Sequence, residues 1–506
     1  MNRFHCLVSV LIALAAAIPA RAGTPAEIEA MRNDQLPRLI QYVRDAIQPN
    51  GLVRDAVTTA PGSSPFHPAT PDAAGFALLA LAAADHLGLA PDAEALAEQI
   101  LRAYAGDVPG VTPQRSANGH WVHFMNVNTG IYQPGWDSAY SPIGSALIVT
   151  GAQFAANHWI ENTTIGDLAQ ELSDTTDFNA AIHPALDGRI WLSVGASGNG
   201  DASFGAVSPW NEYMLVMRLA LREADNSRAI AVAPAWMNPF NLPTRSYAGF
   251  ATLTDNPANY APAFWVQQQY YFNADFAGNP AFVHFYENHR DADAAYCTAA
   301  LNQPYRYGLT AGVNPSGYRA DRIGDQEFVF APEAVAAFGD MDTLCQWFAD
   351  QPPASDGRLR YGMLRASAAQ PSWLPPDTGL VDHLFLMFGL VESADPLFFR
   401  QRQPGQTDAD ADGIADAFDN CPTFNPDQGP CGCSVADITT DGTSSGVPDG
   451  VVTLSDFSYF LSLWSMSDPA ADITVNGICD VAGGGGDGVT LSDFSCYLSE
   501  WSAGCP

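Results

Sequence analysis

Apolar positions between residues 26 and 400 recur at helical spacing, in Ala-rich segments punctuated by Pro and Gly. Two classes of segment occur. "DAAGFALLALAAADHLGL" and "SALIVTGAQFAANHW" are apolar nearly all round, the pattern of helices buried on more than one side. "PDAEALAEQILRAYAG" carries a one-sided stripe and a polar back. Ten to twelve segments of these kinds follow one another at irregular spacing. Buried and half-buried helices in one chain predict an all-α double ring, an (α/α) toroid, with an irregular helical bundle as the alternative. Loops rich in Gly and aromatics, such as "GHWVHFMNVNTGIYQPGWDSAYSP", are expected to gather at one mouth.

The pattern changes at "RQRQPGQTDAD", where Arg disappears and Asp takes over. This places a large domain at 23–402, an Asp-rich linker or repeat at 403–432, and a last module at 433–506. The last module holds two copies of one unit, residues 437–464 and 472–501. Each has an Asp-rich loop and then a short helix with Phe, Tyr, Leu and Trp on one face. Neither helix can bury that face alone, so the two are expected to pack together. At the other end, Arg3, an apolar run from Cys6 to Ile18 and the sequence Ala20-Arg21-Ala22 predict a signal peptide over 1–22 and an exported protein. That run is too short to span a bilayer, and no later stretch reaches the roughly 20 apolar residues a span requires. Cys6 lies inside the run, which argues against a lipid anchor.

The formal charge of −33 excludes nucleic acid as a natural partner, because the chain would repel phosphates. About half of that charge lies after residue 405, where 16 acidic residues meet no basic one. Without Cys6, eight cysteines remain: 297, 345, 421, 431, 433, 479, 496 and 505. An even number in an exported chain predicts disulfides, with connectivity left open. No Cys-x-x-Cys pair with matching His supports a zinc site.

In "DADADGIADAFDNCP" (408–422), Asp408, Asp410, Asp412, Asp416 and Asp419 take positions 1, 3, 5, 9 and 12 of a loop, with Gly413 at 6 and the Ile414 carbonyl at 7. Like charges so crowded call for a cation, and hard Ca²⁺ takes six to eight oxygens in this kind of wrap. The run resembles a thrombospondin type 3 repeat, in which the Cys that follows is normally disulfide-bonded. The paired units after it resemble a dockerin, the duplicated calcium loop-helix module that attaches secreted enzymes to a cohesin-like partner or a cell surface. The resemblance implies calcium ligands at Asp437, Thr439, Asp449, Thr453 and Asp456, and at Asp472, Thr474, Asp487 and Asp493. A disulfide-stapled helical hairpin without metal is the alternative.

In the large domain "GLVRDAV", "GHWVHFMNVNTG", "SALIVTGAQFAANHW", "PWNEYMLVMRLAL", "YGLTAG" and "DTGLVDHLFLMFGL" follow one another as in the glycoamylase-like family, which they resemble over most of residues 35–395. The resemblance implies an (α/α)₆ toroid that cleaves a glycosidic bond by inversion, characterised members including β-1,2-glucan hydrolases. Such hydrolysis needs two carboxyl groups, one of them an acid whose surroundings raise its pKa. Glu212 lies among Trp210, Tyr213 and Met214 at an apolar helix start, and the resemblance makes it the acid. A first-turn Glu stabilising a helix N-terminus is its bland reading. Asp377 matches the family's second carboxylate and is the candidate base, although Asp after Pro-Pro at a helix start also fits an N-cap. Asp137 is the runner-up; Asp382 and Glu287 read as structural. Trp121, Trp136, Trp191, Trp210, Trp236, Trp265 and Tyr318 are candidate sugar platforms, about half of them expected in the core.

The chain also departs from the family pattern. Val313 stands where an Asp is expected and Gly144 where another is. The run from Gln267 to Tyr271 lacks both expected His, Gln268 remaining as a candidate substrate-binding residue. The leading expectation is therefore an exported glycoside hydrolase acting on a β-glucan, with no cofactor in the large domain. A non-catalytic glycan-binding or surface protein on the same toroid is the alternative. A polysaccharide lyase comes third, since the 22 basic residues are all Arg.

Overall fold

The computed structural model describes residues 23–59, 66–137, 139–301, 307–325, 329–350 and 357–404. In the tail it describes 454–466 and scattered positions between 471 and 498. The helices run α1 (Pro25–Ala46), α2 (Pro71–His86), α3 (Ala93–Ala105), α4 (Pro142–His158), α5 (Thr163–Asp174), α6 (Met214–Arg222), α7 (Ser227–Val232) and α8 (Pro234–Met237). They continue as α9 (Phe264–Phe272), α10 (Ala274–Ala277), α11 (Pro280–Leu301), α12 (Pro332–Ala337), α13 (Met341–Ala349), α14 (Leu380–Glu392), α15 (Phe398–Arg402) and, in the tail, α16 (Leu454–Ser465).

Six helices form a closed inner ring in the order α2, α4, α6, α9, α12, α14 and back to α2. The outer positions are held by α1, α3, α5, α7 with α8, α11 and α13, each preceding its inner partner in the chain. The molecule is an (α/α)₆ toroid. The sequence explains who goes where. In α2 every residue from Ala73 to Ala84 is buried, because a helix apolar all round is stable only with neighbours on every side. In α5 the buried residues Ile165, Leu168, Ala169 and Leu172 make a single stripe, so one face packs and the other meets water. Inner helices approach closely where side chains vanish. A Cβ on Gly75 of α2 would strike the Leu147 carbonyl of α4, and one on Gly389 of α14 would strike the Ala336 carbonyl of α12.

Since the inner helices are parallel, their N-termini share one end of the ring. Thr70 and Ser141 cap α2 and α4 by accepting from the N–H groups of Ala73 and Gly144, each followed by Pro at the first helical position. Within the ring, Phe76 of α2 packs on Phe272 of α9 at 4.7 Å and on Phe385 of α14 at 5.3 Å. Phe388 of α14 meets Tyr271 of α9 at 5.3 Å and Phe399 of α15 at 5.0 Å. These rings fill the centre, so the toroid is a cup open at the N-terminal end of the inner helices.

Cys297 and Cys345 are free thiols, against the expectation of pairing from an even count; Cys297 is buried in α11 beside Asp293. No described helix is long and apolar enough to cross a membrane. In the tail, Phe460 of α16 stacks on Tyr497 at 3.8 Å and Trp464 meets Phe494 at 5.1 Å, so the aromatic faces of the two repeated units pack together. The signal-peptide segment and the proposed ligands from Asp408 to Thr453, with Asp472, Asp487 and Asp493, lie outside the described residues; of Asp456 and Thr474 only the backbone is described.

Candidate active site

Glu212 stands just before α6, one residue ahead of the capping position Tyr213, and so is not the first-turn helix residue of its bland reading. Its setting comes from local packing. Trp210, Tyr213 and Met214 are fully buried around it, and the Gln269 amide of α9 donates to the Glu212 carbonyl at 2.8 Å. The carboxyl itself is left over: Oε2 is buried with no hydrogen-bond partner among the described residues. Burial pushes this carboxyl up to about 7, with a small further push from Asp255. It is held as an acid near neutral pH.

The inner-ring order places α14 opposite α6. Asp377 lies on that far side, in a strand rather than at a cap: Asp377–Gly379 pairs antiparallel with Ala56–Thr58, and the position capping α14 is Gly379. The capping role that competed with function in the sequence is therefore not the one Asp377 has. Its Oδ2 lies 3.6 Å from His67 Nε2. Burial raises its pKa and His67 offsets part of the rise.

Three further carboxyls gather around the same ladder. Asp55 precedes one strand, Asp72 sits in the first turn of α2, and Asp382 in the first turn of α14. Asp55 is pushed up to about 7 by burial and then by the charge of Asp72, with His123 opposing and Asp382 and Asp377 adding. Asp72 faces His123 at 3.6 Å. Burial would drive that pair toward neutrality, but mutual attraction wins, holding Asp72 below its ordinary value and His123 above. Asp382, read from sequence as structural, is nearly buried within this group and pushed up to about 6 by burial, against the pull of Arg365.

Arg365 underlies this side. Its guanidinium is buried, 3.2 Å from Glu333 and 3.8 Å from Asp321, and donates to Asn314 and to the Thr310 carbonyl. It thereby anchors the hairpin Ala311–Asn314 and Gly317–Ala320, which carries Tyr318. Tyr318 is 66 % exposed, yet its hydroxyl reaches Asp382 Oδ1 at 3.4 Å. It leans over the carboxyl group as a rim aromatic.

Asp137, the runner-up, bends its own loop by accepting from the Ala139 N–H, and its charge acts on His123. Beside it Trp136 is 37 % exposed and tilts on Phe124, which stacks on His123 at 4.0 Å. Three other tryptophans are corrected: Trp121, Trp210 and Trp236 are fully buried and cannot present a face to a sugar. Their indole N–H groups go to the Tyr104 carbonyl, the Met214 sulfur and the Gly188 carbonyl. Trp191 packs on His183 at 4.4 Å with Gly200 against its ring, and Trp265, in the first turn of α9, is half-buried. Gln268 is buried on α9, and its Nε2 has no hydrogen-bond partner among the described residues. No cluster of three or more metal-binding side chains occurs among the described residues.

No known family description matches the chain, and no curated protein matches it. Solved structures do. A candidate glucoamylase from Bacteroides uniformis aligns with TM-score 0.63 at 17 % identity, covering 74 % of this chain and 93 % of that one. An endo-β-1,2-glucanase from Chitinophaga pinensis, in complex with sophorotriose and glucose, aligns with TM-score 0.63 at 16 % identity, covering 74 % and 94 %. A β-1,2-glucanase from Parabacteroides distasonis gives 0.62 at 14 % identity, covering 74 % and 58 %. At these identities the similarity establishes a shared toroid.

Proposed function

We propose that the protein is a glycoside hydrolase acting on a glucan, most plainly a β-glucan, by inversion. The observation that carries this is Glu212: a carboxyl with one oxygen buried and without a hydrogen-bond partner among the described residues, in an apolar setting that raises its pKa to about 7, across the ring from a group of carboxylates. Glu212 protonates the leaving glycosidic oxygen. A carboxylate of the opposite side, Asp377 in the sequence reading, accepts the proton of the attacking water. Trp136, Trp265 and Tyr318 offer faces to pyranose rings at the same end of the cup. The glucanases that share the toroid support the substrate class.

The test is a panel of neutral glucans, β-1,2-linked among them, assayed for new reducing ends, with the anomer of the first product read by NMR. Inverted product from wild type and none from Glu212→Gln is the expected result. The changed polar positions Gly144, Val313 and Gln267 favour a second reading, a glycan-binding protein on the same toroid. Binding without hydrolysis across the panel would establish it.

The proposal extends to the ends of the chain. The protein is exported, and its tail binds calcium and attaches the enzyme to a cohesin-like or cell-surface partner, on the strength of the spacing of Asp408 to Asp419 and of the two repeated units. Chelator should open residues 405–506 to protease while leaving the toroid's melting unchanged. The same cleavage pattern with and without chelator would refute calcium dependence.

A further inference from the structure

Four carboxyls share the side of the mouth opposite Glu212, and three of them are engaged. Asp72 faces His123, Asp377 faces His67, and Asp382 accepts from Tyr318. Asp55 has no side-chain hydrogen bond or ion pair among the described residues, and its oxygens are not sealed from water. Its backbone is fixed at both neighbouring inner helices. The Asp55 N–H donates to the Pro68 carbonyl, three residues before α2, and its carbonyl accepts from the Leu380 N–H, the first of α14. The Asp55 backbone is thus held between the segment that leads into α2 and the first residue of α14.

The ladder register separates Asp55 from Asp377. Thr58 pairs with Asp377 and Ala56 with Gly379, and paired residues project to one face. Asp55, one residue before Ala56, continues the alternation onto the other face. Of its charged neighbours Asp72 acts on it most and Asp377 least.

We propose that Asp55 is the catalytic base, the carboxylate that takes a proton from the attacking water, and that Asp377 is held by His67 as a neighbour of the site. This rests on the hydrolase reading above. In the step, a water oxygen bonds to the anomeric carbon as the bond to the glycosidic oxygen breaks. Glu212 gives its proton to that departing oxygen, and the proton lost by the water passes to an Asp55 oxygen. Solvent then returns one proton to Glu212 and removes one from Asp55.

The test uses the full chain and whichever glucan the wild type hydrolyses, with a glycosyl fluoride of the same anomer as second substrate. Fluoride leaves without protonation, so Glu212→Gln should regain turnover on it. Asp55→Asn should lose about 10²–10⁴-fold on both substrates. Azide is a nucleophile with no proton to surrender, so it should restore turnover to Asp55→Ala and yield a glycosyl azide of inverted configuration. The melting of each variant checks its fold. The inference is overturned if Asp55→Asn turns over at the wild-type rate, or if azide rescues Asp377→Ala and leaves Asp55→Ala inactive. A wild type that cleaves no glucan removes the hydrolase reading and this inference together; an active wild type indifferent to Asp55 removes the inference alone.

Discussion

Glu212 and Asp55 are both pushed up to about 7, and they stand on opposite sides of the same mouth, but their surroundings do it differently. Around Glu212 the cause is almost wholly apolar burial by Trp210, Tyr213 and Met214, with Asp255 a minor contributor. Around Asp55 burial is joined by like charge from Asp72, Asp382 and Asp377, and opposed by His123. A group shifted by packing keeps its shift whatever its neighbours titrate to. A group shifted by charge belongs to a coupled set, so changing one member moves the others. The acid side of the cup is set almost wholly by burial, and the base side by burial together with a charge balance.

The largest effect should come from the acid. Glu212→Gln keeps size but has no proton to give, so kcat should fall by about 10²–10⁴-fold. The basic limb of the kcat/KM profile, which reports ionisation of that acid, should vanish with it. A variant that keeps both would refute the assignment.

Arg365→Met attacks the other side through its foundation. It leaves the buried Glu333 without its cation and Asp321 with Arg319 alone, a loss of about 3–5 kcal/mol in unfolding free energy for a broken buried pair. Denaturant titration reads it, and an unchanged midpoint would show that the charge balance does not depend on Arg365.

His123→Gln separates the two sides by pH. Removing the cation that opposes the raised Asp55 should move the acidic limb of kcat/KM to higher pH and leave the basic limb in place. Equal movement of both limbs would mean that the two carboxyls are not independently set.

A smaller, stability-based reading concerns Glu212 again. Its carboxyl titrates at about 7 in the fold against 4.5 as the ordinary value, so within that window the folded chain binds more protons than the unfolded one. Stability is therefore lost as pH rises from about 4.5 through about 7. Glu212→Gln should melt higher than wild type at pH 8 and level with it at pH 4. Least of all, Tyr318→Phe gives up one long hydrogen bond at the rim and should cost no more than about 1 kcal/mol, while slightly raising the pKa of Asp382.

Glu212 was legible in the sequence because the residues that desolvate it are its chain neighbours. Asp377 was legible only through resemblance, and its apparent helix-cap signature was misleading: the Pro-Pro-Asp stretch enters a strand, and Gly379 takes the cap. Asp55, Asp72 and His123 carried no signal, since each alone looks like an ordinary loop or first-turn residue. The pairing of 56–58 with 377–379 joins them across most of the domain's length. Trp121, Trp210 and Trp236 were named as sugar platforms because composition cannot tell which way an indole turns; in the fold each finds a buried partner for its N–H.

The sequence by itself determined the helical periodicity, the division into wholly and partly buried helices, the Thr-Pro and Ser-Pro helix starts and the apolar setting of Glu212. These depend on residues a few positions apart, where backbone geometry fixes what meets what. Tertiary structure decided which carboxyls share the mouth, which of them are already engaged, and which tryptophans face the core. Desolvation and Coulomb attraction act through distances in space, and those exist only once the six inner helices have closed into a ring.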